Sequence, residues 1–374
     1  MKSNPIVAYC FTDLKGSVIE SKLENTPMTP ASNTKIITAY LSVKKYGLNH
    51  TFKTSFGILD NSIVVNGGPT FFFNPNSPDF LAKMESTFGQ LSHNFNLLKS
   101  IVLSNPVVDS RRYNPCWQIG ESKYSYQAPI SNFFVNENCN QKEETDKKPL
   151  LSTVLDHENE DAYFPVKNPE RHFGDSLLEP FSLGYNVPVK RVNVENPTVS
   201  AEHTAPLSEV VSHMLVESCN FYAEVLFKSL SYDGKNQGSW AKSVDIAANM
   251  LTDIDGAEGI RIKDGSGLCK DNLLTPLFTV NLLRTAYEKY GKGFTDLFPE
   301  PGEGTLRRRL LQYKDWGLIA KTGTLSSVSA LSGYILKYGV IFSIFINNSL
   351  AQTRDREGFI DKIVSDFIGN NFKQ

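Results

Sequence analysis

Leu318-Ile319-Ala320-Lys321-Thr322-Gly323-Thr324 reads as an apolar strand that runs straight into a cation, a hydroxyl and a glycine. Downstream, Tyr334-Ile335-Leu336, a turn at Lys337-Tyr338-Gly339 and the run Val340 to Ile346 predict a hairpin. Phe359, Ile360, Ile363, Val364 and Phe367 then mark a final amphipathic helix. At the other end of the chain, residues 5–11, a turn at Asp13-Leu14-Lys15-Gly16 and Ser17 to Ser21 read as a second hairpin. Strands at both termini with helices between them predict one antiparallel sheet closed by the chain ends. The fold class is therefore α+β, with residues 1–50 and 204–374 forming one domain. Residues 51–203, whose texture shifts to short strands, turns and polar loops, form an inserted mixed α/β domain.

Two further motifs precede the strand that carries Lys321. Ser32-Asn33-Thr34-Lys35 follows Pro30-Ala31 and leads into Ile36, Ile37, Tyr40 and Leu41, an apolar stripe at helical spacing that stops at Gly47. Ser32 thus sits at a helix start, where unpaired N–H groups favour a developing oxyanion, and Lys35 shares its face. Ser218-Cys219-Asn220 falls between a helical run through Leu207, Val210, Val211, Met214 and Leu215 and a second from about Phe221 to Leu230. Ser-x-x-Lys recurs at Ser42–Lys45 and Ser239–Lys242, but Ser42 lies deep in the same helix, where its hydroxyl is predicted to bond its own backbone. Ser239 lies in a helical run from Trp240 to Leu251 with no strand partner nearby.

These residue types suit serine acyl transfer without histidine. A lysine takes the Ser32 proton only if its pKa falls, and Lys321 is expected to lower Lys35 by like-charge repulsion. Ser218 is placed to relay a proton, and Asn220 to hold Lys35 and a substrate amide. Gly323 lets a substrate backbone add along the strand edge. The N–H groups of Ser32 and Thr324 form the oxyanion hole, and Lys321, Thr322 and Thr324 receive a substrate carboxylate.

Composition narrows the class. A chain of 374 residues with 40% hydrophobic and 21% charged residues is long enough for two or three domains. A net charge of −2 disfavours nucleic acid as a partner, and Arg307-Arg308-Arg309 is read as a solvated helix face. No run approaches the ~18–20 apolar residues of a membrane span, and Ile6 to Phe11 reads as a strand rather than a secretory signal. The five cysteines form no CxxC pair, so buried thiols are expected, with Cys116–Cys139 the one candidate bridge. The histidines have no metal-ligand spacing, and neither metal nor cofactor is expected.

The chain resembles the D-alanyl-D-alanine carboxypeptidase/endopeptidase family of class C low-molecular-mass penicillin-binding proteins. The resemblance rests on Thr29 to Lys35, Ser218-Cys219-Asn220-Phe221-Tyr222-Ala223-Glu224, Asp264-Gly265-Ser266-Gly267-Leu268, Gly304-Thr305-Leu306-Arg307 and Lys321 to Leu325. Ala128 to Ser131 and Val135 to Asn138 fit it as well. It implies a penicillin-recognising DD-peptidase/β-lactamase-like fold and an acyl-enzyme on Ser32, formed from peptidoglycan stem peptides or β-lactam antibiotics, in a periplasmic or other extracytoplasmic place. It also implies catalytic roles for Ser32, Lys35, Ser218, Asn220 and Lys321. Substrate contacts would come from Thr322, Gly323, Thr324 and Ser266, and in the insert from Trp117, Tyr126 and Glu121 around a cationic side chain. The family's Gly-Gly-Gly-Asp-Pro is here Asn66-Gly67-Gly68-Pro69, and the interval between the first two motifs is shorter, which implies a trimmed or absent third domain. A β-lactamase or esterase of the same superfamily, and a catalytically lapsed wall-binding module, are the competing readings. The intact Ser32, Lys35, Ser218, Asn220 and Lys321 speak against the last.

Overall fold

The computed structural model describes residues 4–84, 98–141, 163–181, 187–195 and 198–372. The chain divides into two compact units, one made of residues 1–48, 211–230 and 240–374, the other of residues 49–210 and 231–239.

The first unit is built on a five-stranded antiparallel sheet. In chain order its strands are β1 (Ile6–Asp13), β2 (Val18–Lys22), β10 (Leu318–Leu325), β11 (Val328–Ile335) and β12 (Val340–Asn347). Their spatial order is β10-β11-β12-β1-β2, so β1 pairs with β12 from Ile6↔Asn347 to Asp13↔Val340 and joins the two chain ends. Every residue of β11 and β12 is buried, so both faces of this sheet are covered. Alternation along β11 sends Leu331 and Ile335 to one face and Tyr334 to the other. The first face packs on the C-terminal helix Thr353–Asn371 through Phe11, Ile344, Val364 and Phe367. On the second, Tyr334 donates its hydroxyl to the Leu283 carbonyl of helix Pro276–Tyr290 at 2.8 Å.

The second unit holds a mixed sheet. Strands β3 (Thr51–Leu59), β4 (Ser62–Gly67), β5 (Ser100–Ser104), β8 (Val189–Arg191) and β9 (Thr198–Pro206) lie in the order β8-β5-β4-β3-β9. β4, β5 and β8 run parallel, and β3 is antiparallel to both of its neighbours. Phe56, Ile63, Ile101 and Leu103 of this sheet share a core with Phe173 and Leu177 of helix Pro169–Leu178.

Several local expectations change. Residues 149–200 read as strands and turns without clear periodicity, yet they hold the helix Pro169–Leu178, which Asn168 caps by accepting from the Arg171 N–H and Pro169 opens. The charged stretch 139–148, poor in apolar groups, predicts an exposed loop, yet it begins as strand β6 (Cys139–Gln141), paired with β7 (Tyr163–Pro165); residues 142–148 lie outside the described residues. The spacing from Asp79 to Leu98 predicts a helix; one is present at residues 78–84, and residues 85–97 lie outside the description. Residues 307–309 are not helical. Arg309 turns inward and forms an ion pair with Asp361 at 2.6 Å, its side chain 11% exposed. The cysteines correct two expectations together: Cys10, Cys139 and Cys219 are free buried thiols, whereas Cys116 and Cys269 are disulfide-bonded. Spacing in sequence could not reveal this, because disulfide geometry depends on distance in space.

Phe11 links the two ends of the chain through its packing: its ring stacks on Phe367 at 3.9 Å and lies 5.9 Å from Phe342. Phe11→Ala should therefore destabilise the first unit by about 3–5 kcal/mol, read as a lowered urea midpoint. A midpoint within error of wild type would show that this stack does not hold the sheet to its helix.

Candidate active site

The segment holding Ser32, the expected nucleophile, is a short turn, Ala31–Asn33, that feeds the helix Thr34–Tyr46. Ala31 adopts a φ of 49°, a left-handed conformation that costs a non-glycine residue about 1–2 kcal/mol. The surroundings hold it there. Thr34 donates its hydroxyl to the Ala31 carbonyl at 2.9 Å, and Asn33 donates its amide to the Lys321 carbonyl at 3.1 Å. Two glycines press on the turn. A Cβ on Gly267 would lie 1.9 Å from the Ala31 oxygen, and one on Gly323 would lie 2.8 Å from the Pro30 oxygen and 3.1 Å from the Ser32 nitrogen. Gly323 is thus required by the nucleophile turn itself, in addition to any use by a substrate.

Lys35 is fully buried. Its Nζ stands 2.9 Å from Ser32 Oγ, 2.6 Å from Asn220 Oδ1 and 2.9 Å from the Ser266 carbonyl oxygen. Ser266 therefore meets the lysine with its backbone. By contrast Ser42 Oγ is buried with no hydrogen-bond partner among the described residues, so the predicted bond to its own backbone is absent. Ser239 accepts at its carbonyl from Ser231, and the helix Trp240–Met250 begins after it.

The second motif lies in the break between the helices Leu207–Val216 and Asn220–Ser229. Ser218 takes a φ of 60° there, and Cys219 caps the second helix by accepting from the Tyr222 N–H at 3.3 Å. The middle cysteine is thus a structural cap.

Lys321 lies on β10, buried, with no hydrogen-bond partner for Nζ among the described residues. Burial first, and then the neighbouring Lys35 charge, hold its amine well below the ordinary lysine range, with Glu217 opposing. The like-charge repulsion expected between Lys321 and Lys35 is present in the structure, where it acts on Lys321. Two buried amines in one low-dielectric site do not readily carry two charges.

β10 is the edge of its sheet. The Ala320 N–H donates to the Pro299 carbonyl at 3.2 Å, away from β11. Strand alternation then turns the backbone groups of Thr322 and Thr324 to the same open edge. Their side chains share a sheet face with Leu318 and Ala320, and Thr322 donates its hydroxyl to Thr305 Oγ1 at 2.7 Å. Thr305, Asn33 and Gly267 were not singled out as site residues in sequence. The signal available was their place inside the quoted motifs.

Beneath the site, the segment Asp264 to Cys269 is organised by two buried carboxylates. Asp264 accepts from the N–H groups of Gly267 at 2.9 Å and Cys269 at 2.7 Å, and from the Asn272 amide at 2.6 Å. Glu224 accepts from the Ser266 N–H at 2.7 Å, the Gly265 N–H at 3.2 Å and the Trp240 indole at 2.6 Å. Desolvation, then repulsion by Asp264, pushes the Glu224 carboxyl up to about 7. The folded protein therefore holds this proton where the unfolded chain has lost it, and the group's contribution to stability falls as pH rises from 4.5 to about 7.

Trp117, Glu121 and Tyr126 belong to the second unit. Trp117 is buried, Glu121 closes the short turn Ile119–Glu121, and the Tyr126 ring stacks on Tyr124 at 5.2 Å.

Comparison with known proteins agrees with this geometry. Residues 7–171 and 155–366 match the D-Ala-D-Ala carboxypeptidase 3 (S13) family. A D-alanyl-D-alanine carboxypeptidase of Actinomadura sp. (strain R39) is 34% identical over 151 residues, 38% of this chain and 28% of that protein. Penicillin-sensitive carboxypeptidase A of Dictyostelium discoideum is 30% identical over 226 residues, 54% of this chain and 42% of that protein. The alignments thus span under half the length of either curated relative. Among solved structures, penicillin binding protein 4 (dacB) from Haemophilus influenzae superposes with a TM-score of 0.71 at 18% identity, covering 97% of this chain and 96% of that one. Bd3459, a predatory peptidoglycan endopeptidase from Bdellovibrio bacteriovorus, superposes at 0.56 with 15% identity, covering 99% and 94%. At such identities the superpositions establish the shared fold, the α+β architecture expected from sequence. With motifs, fold and match in agreement over most of its length, the chain belongs to the D-Ala-D-Ala carboxypeptidase 3 (S13) family.

Proposed function

We propose that this protein is a serine DD-peptidase that cleaves the terminal D-Ala-D-Ala bond, or a peptide cross-bridge, of peptidoglycan through an acyl-enzyme on Ser32. The observation that carries the reading is the 2.9 Å contact between Ser32 Oγ and the buried Lys35 amine. A substrate strand lies along the open edge of β10, its carbonyl against the N–H groups of Ser32 and Thr324, its carboxylate near Lys321, Thr322 and Thr324. Neutral Lys35 takes the Ser32 proton as Oγ attacks the carbonyl carbon. The tetrahedral oxyanion is held by the two N–H groups. Ser218 relays the proton held on Lys35 to the departing amine, the C–N bond breaks, and water later hydrolyses the ester. Asn220 fixes Lys35 from the side through its Oδ1. A β-lactam enters by the same route but leaves no departing amine. The substrate places the protein outside the cytoplasm, and among the described residues no helix is long and apolar enough to cross a membrane. Residues 51–203 serve as the inserted domain, and Glu121, Trp117 and Tyr126 read a cationic side chain of the stem peptide.

A fluorescent penicillin tests the chemistry. Wild type should label covalently and keep the label for hours, with mass spectrometry placing the adduct on the Ser32 peptide, and Ser32→Ala should not label. An adduct on Ser42 or Ser239 contradicts the nucleophile; label lost within minutes identifies a β-lactamase instead.

The lysines should separate by role. Lys35→Arg should lose nearly all acylation, because a guanidinium does not deprotonate near neutral pH. Lys321→Arg should retain more, since that position needs a charge to meet the substrate carboxylate, which offsets the burial that lowers the free amine, rather than proton transfer. Equal losses in acylation rate would contradict the division.

Glu121→Gln should weaken turnover of amine-bearing peptides by ~1–2 kcal/mol, the scale of a partly exposed ion pair, and leave penicillin acylation unchanged. An equal response of both substrates would remove Glu121 from the specificity reading.

A further inference from the structure

We propose that Glu224 is a positioning residue for the acyl-transfer site, orienting Lys35 through the Ser266 backbone, so that its ionisation governs the acid limb of the acylation pH profile. The proposal rests on the serine-peptidase reading above. The path is short. Glu224 accepts from the Ser266 N–H at 2.7 Å, and the carbonyl of that same residue receives the Lys35 amine at 2.9 Å. The segment has little freedom to move otherwise. A Cβ on Gly265 would lie 2.4 Å from Phe227 Cβ and 2.6 Å from the Ala223 oxygen, and Gly267 already presses on Ala31. Residues 265–267 are therefore wedged between the nucleophile turn and the Glu224 helix, and a shift at Glu224 passes directly to the Ser266 carbonyl.

The donor set suits an ionised carboxylate. Three N–H groups, from Gly265, Ser266 and Trp240, point at its two oxygens. A proton on either oxygen adds a fourth donor to that crowd and weakens the hold on the loop. Other charges face the group from each packed element. Asp264 stands on the same loop and raises its pKa. Lys35 faces it from the nucleophile helix, beyond the Ser266 carbonyl. Lys228, on Glu224's own helix, holds its amine 4.4 Å above the Trp240 ring. At the far end of that helix Lys45 and Tyr46 donate to the Ser229 carbonyl, and the His213 ring meets Tyr222 at 4.8 Å.

Two variants and two readouts test this. In Glu224→Gln, penicillin acylation at saturation should slow roughly 10–100-fold, the cost of a small misplacement at a reacting group, with the half-saturating concentration unchanged. Its pH profile should lose the component with a midpoint near 7. Trp240→Phe removes one donor from the carboxylate without touching the loop, so that midpoint should move to higher pH while the plateau rate is kept. Independently, the Trp240 indole N–H, assigned in ¹⁵N spectra by its loss in Trp240→Phe, should titrate near neutral pH in wild type and not in Glu224→Gln. Should Glu224→Gln fail to fold, the Trp240→Phe profile and the wild-type indole titration decide. A profile of unchanged shape in the folded variants, or an indole that does not titrate, overturns the proposal alone. Absence of any wild-type acylation overturns the serine-peptidase reading and this proposal with it.

Discussion

The amine of Lys35 has been taken out of water and set against three oxygens, those of Ser32 Oγ, Asn220 Oδ1 and the Ser266 carbonyl. Burying a charged ammonium is costly. A second buried amine, Lys321, sits close enough for the two charges to repel. The arrangement is therefore biased toward sharing fewer than two positive charges, and a neutral lysine beside a hydroxyl is what nucleophile activation requires. Stability gains nothing from this pair; the surrounding sheet and helices have to hold it in place.

That holding is visible in the backbone. The nucleophile turn carries a left-handed alanine at 31, seated on Gly267 and Gly323 with no room for a methyl group on either. β10 contributes Lys321 and, through its carbonyl, the anchor for Asn33. Because β1 pairs with β12, the N-terminal hairpin and the last strands form one sheet. The nucleophile near residue 32 and the cation at 321 are thereby brought together from opposite ends of the chain. The same sheet leaves its β10 edge open, where the backbone groups of Thr322 and Thr324 face outward.

Much of this was legible in sequence because each motif is local. The Ser32-x-x-Lys35 spacing, the helix break at Ser218 and the strand into Lys321 each follow from a few adjacent residues. The terminal hairpins follow from alternation and turn residues. What escaped depends on partners far apart in the chain. The Pro169–Leu178 helix is defined by packing of Phe173 and Leu177 on a sheet whose residues include the distant Phe56 and Ile63. The oxidised state of Cys116 and Cys269, the inward turn of Arg309 to Asp361, and the grip of Glu224 on Ser266 are likewise set by distance in space. Ser42 shows the limit of a local rule: a helical serine is expected to bond its own backbone, yet this one is buried with no partner for its hydroxyl among the described residues.

The central claim is that one serine, one lysine and one strand edge form a single acyl-transfer site. A crystal structure of the protein soaked with a slowly released penicillin tests it most directly. The account predicts an ester on Ser32 Oγ, its carbonyl oxygen between the N–H groups of Ser32 and Thr324, and its amide side chain running along β10. A penicillin bonded elsewhere, or an ester carbonyl turned away from those two N–H groups, would contradict it.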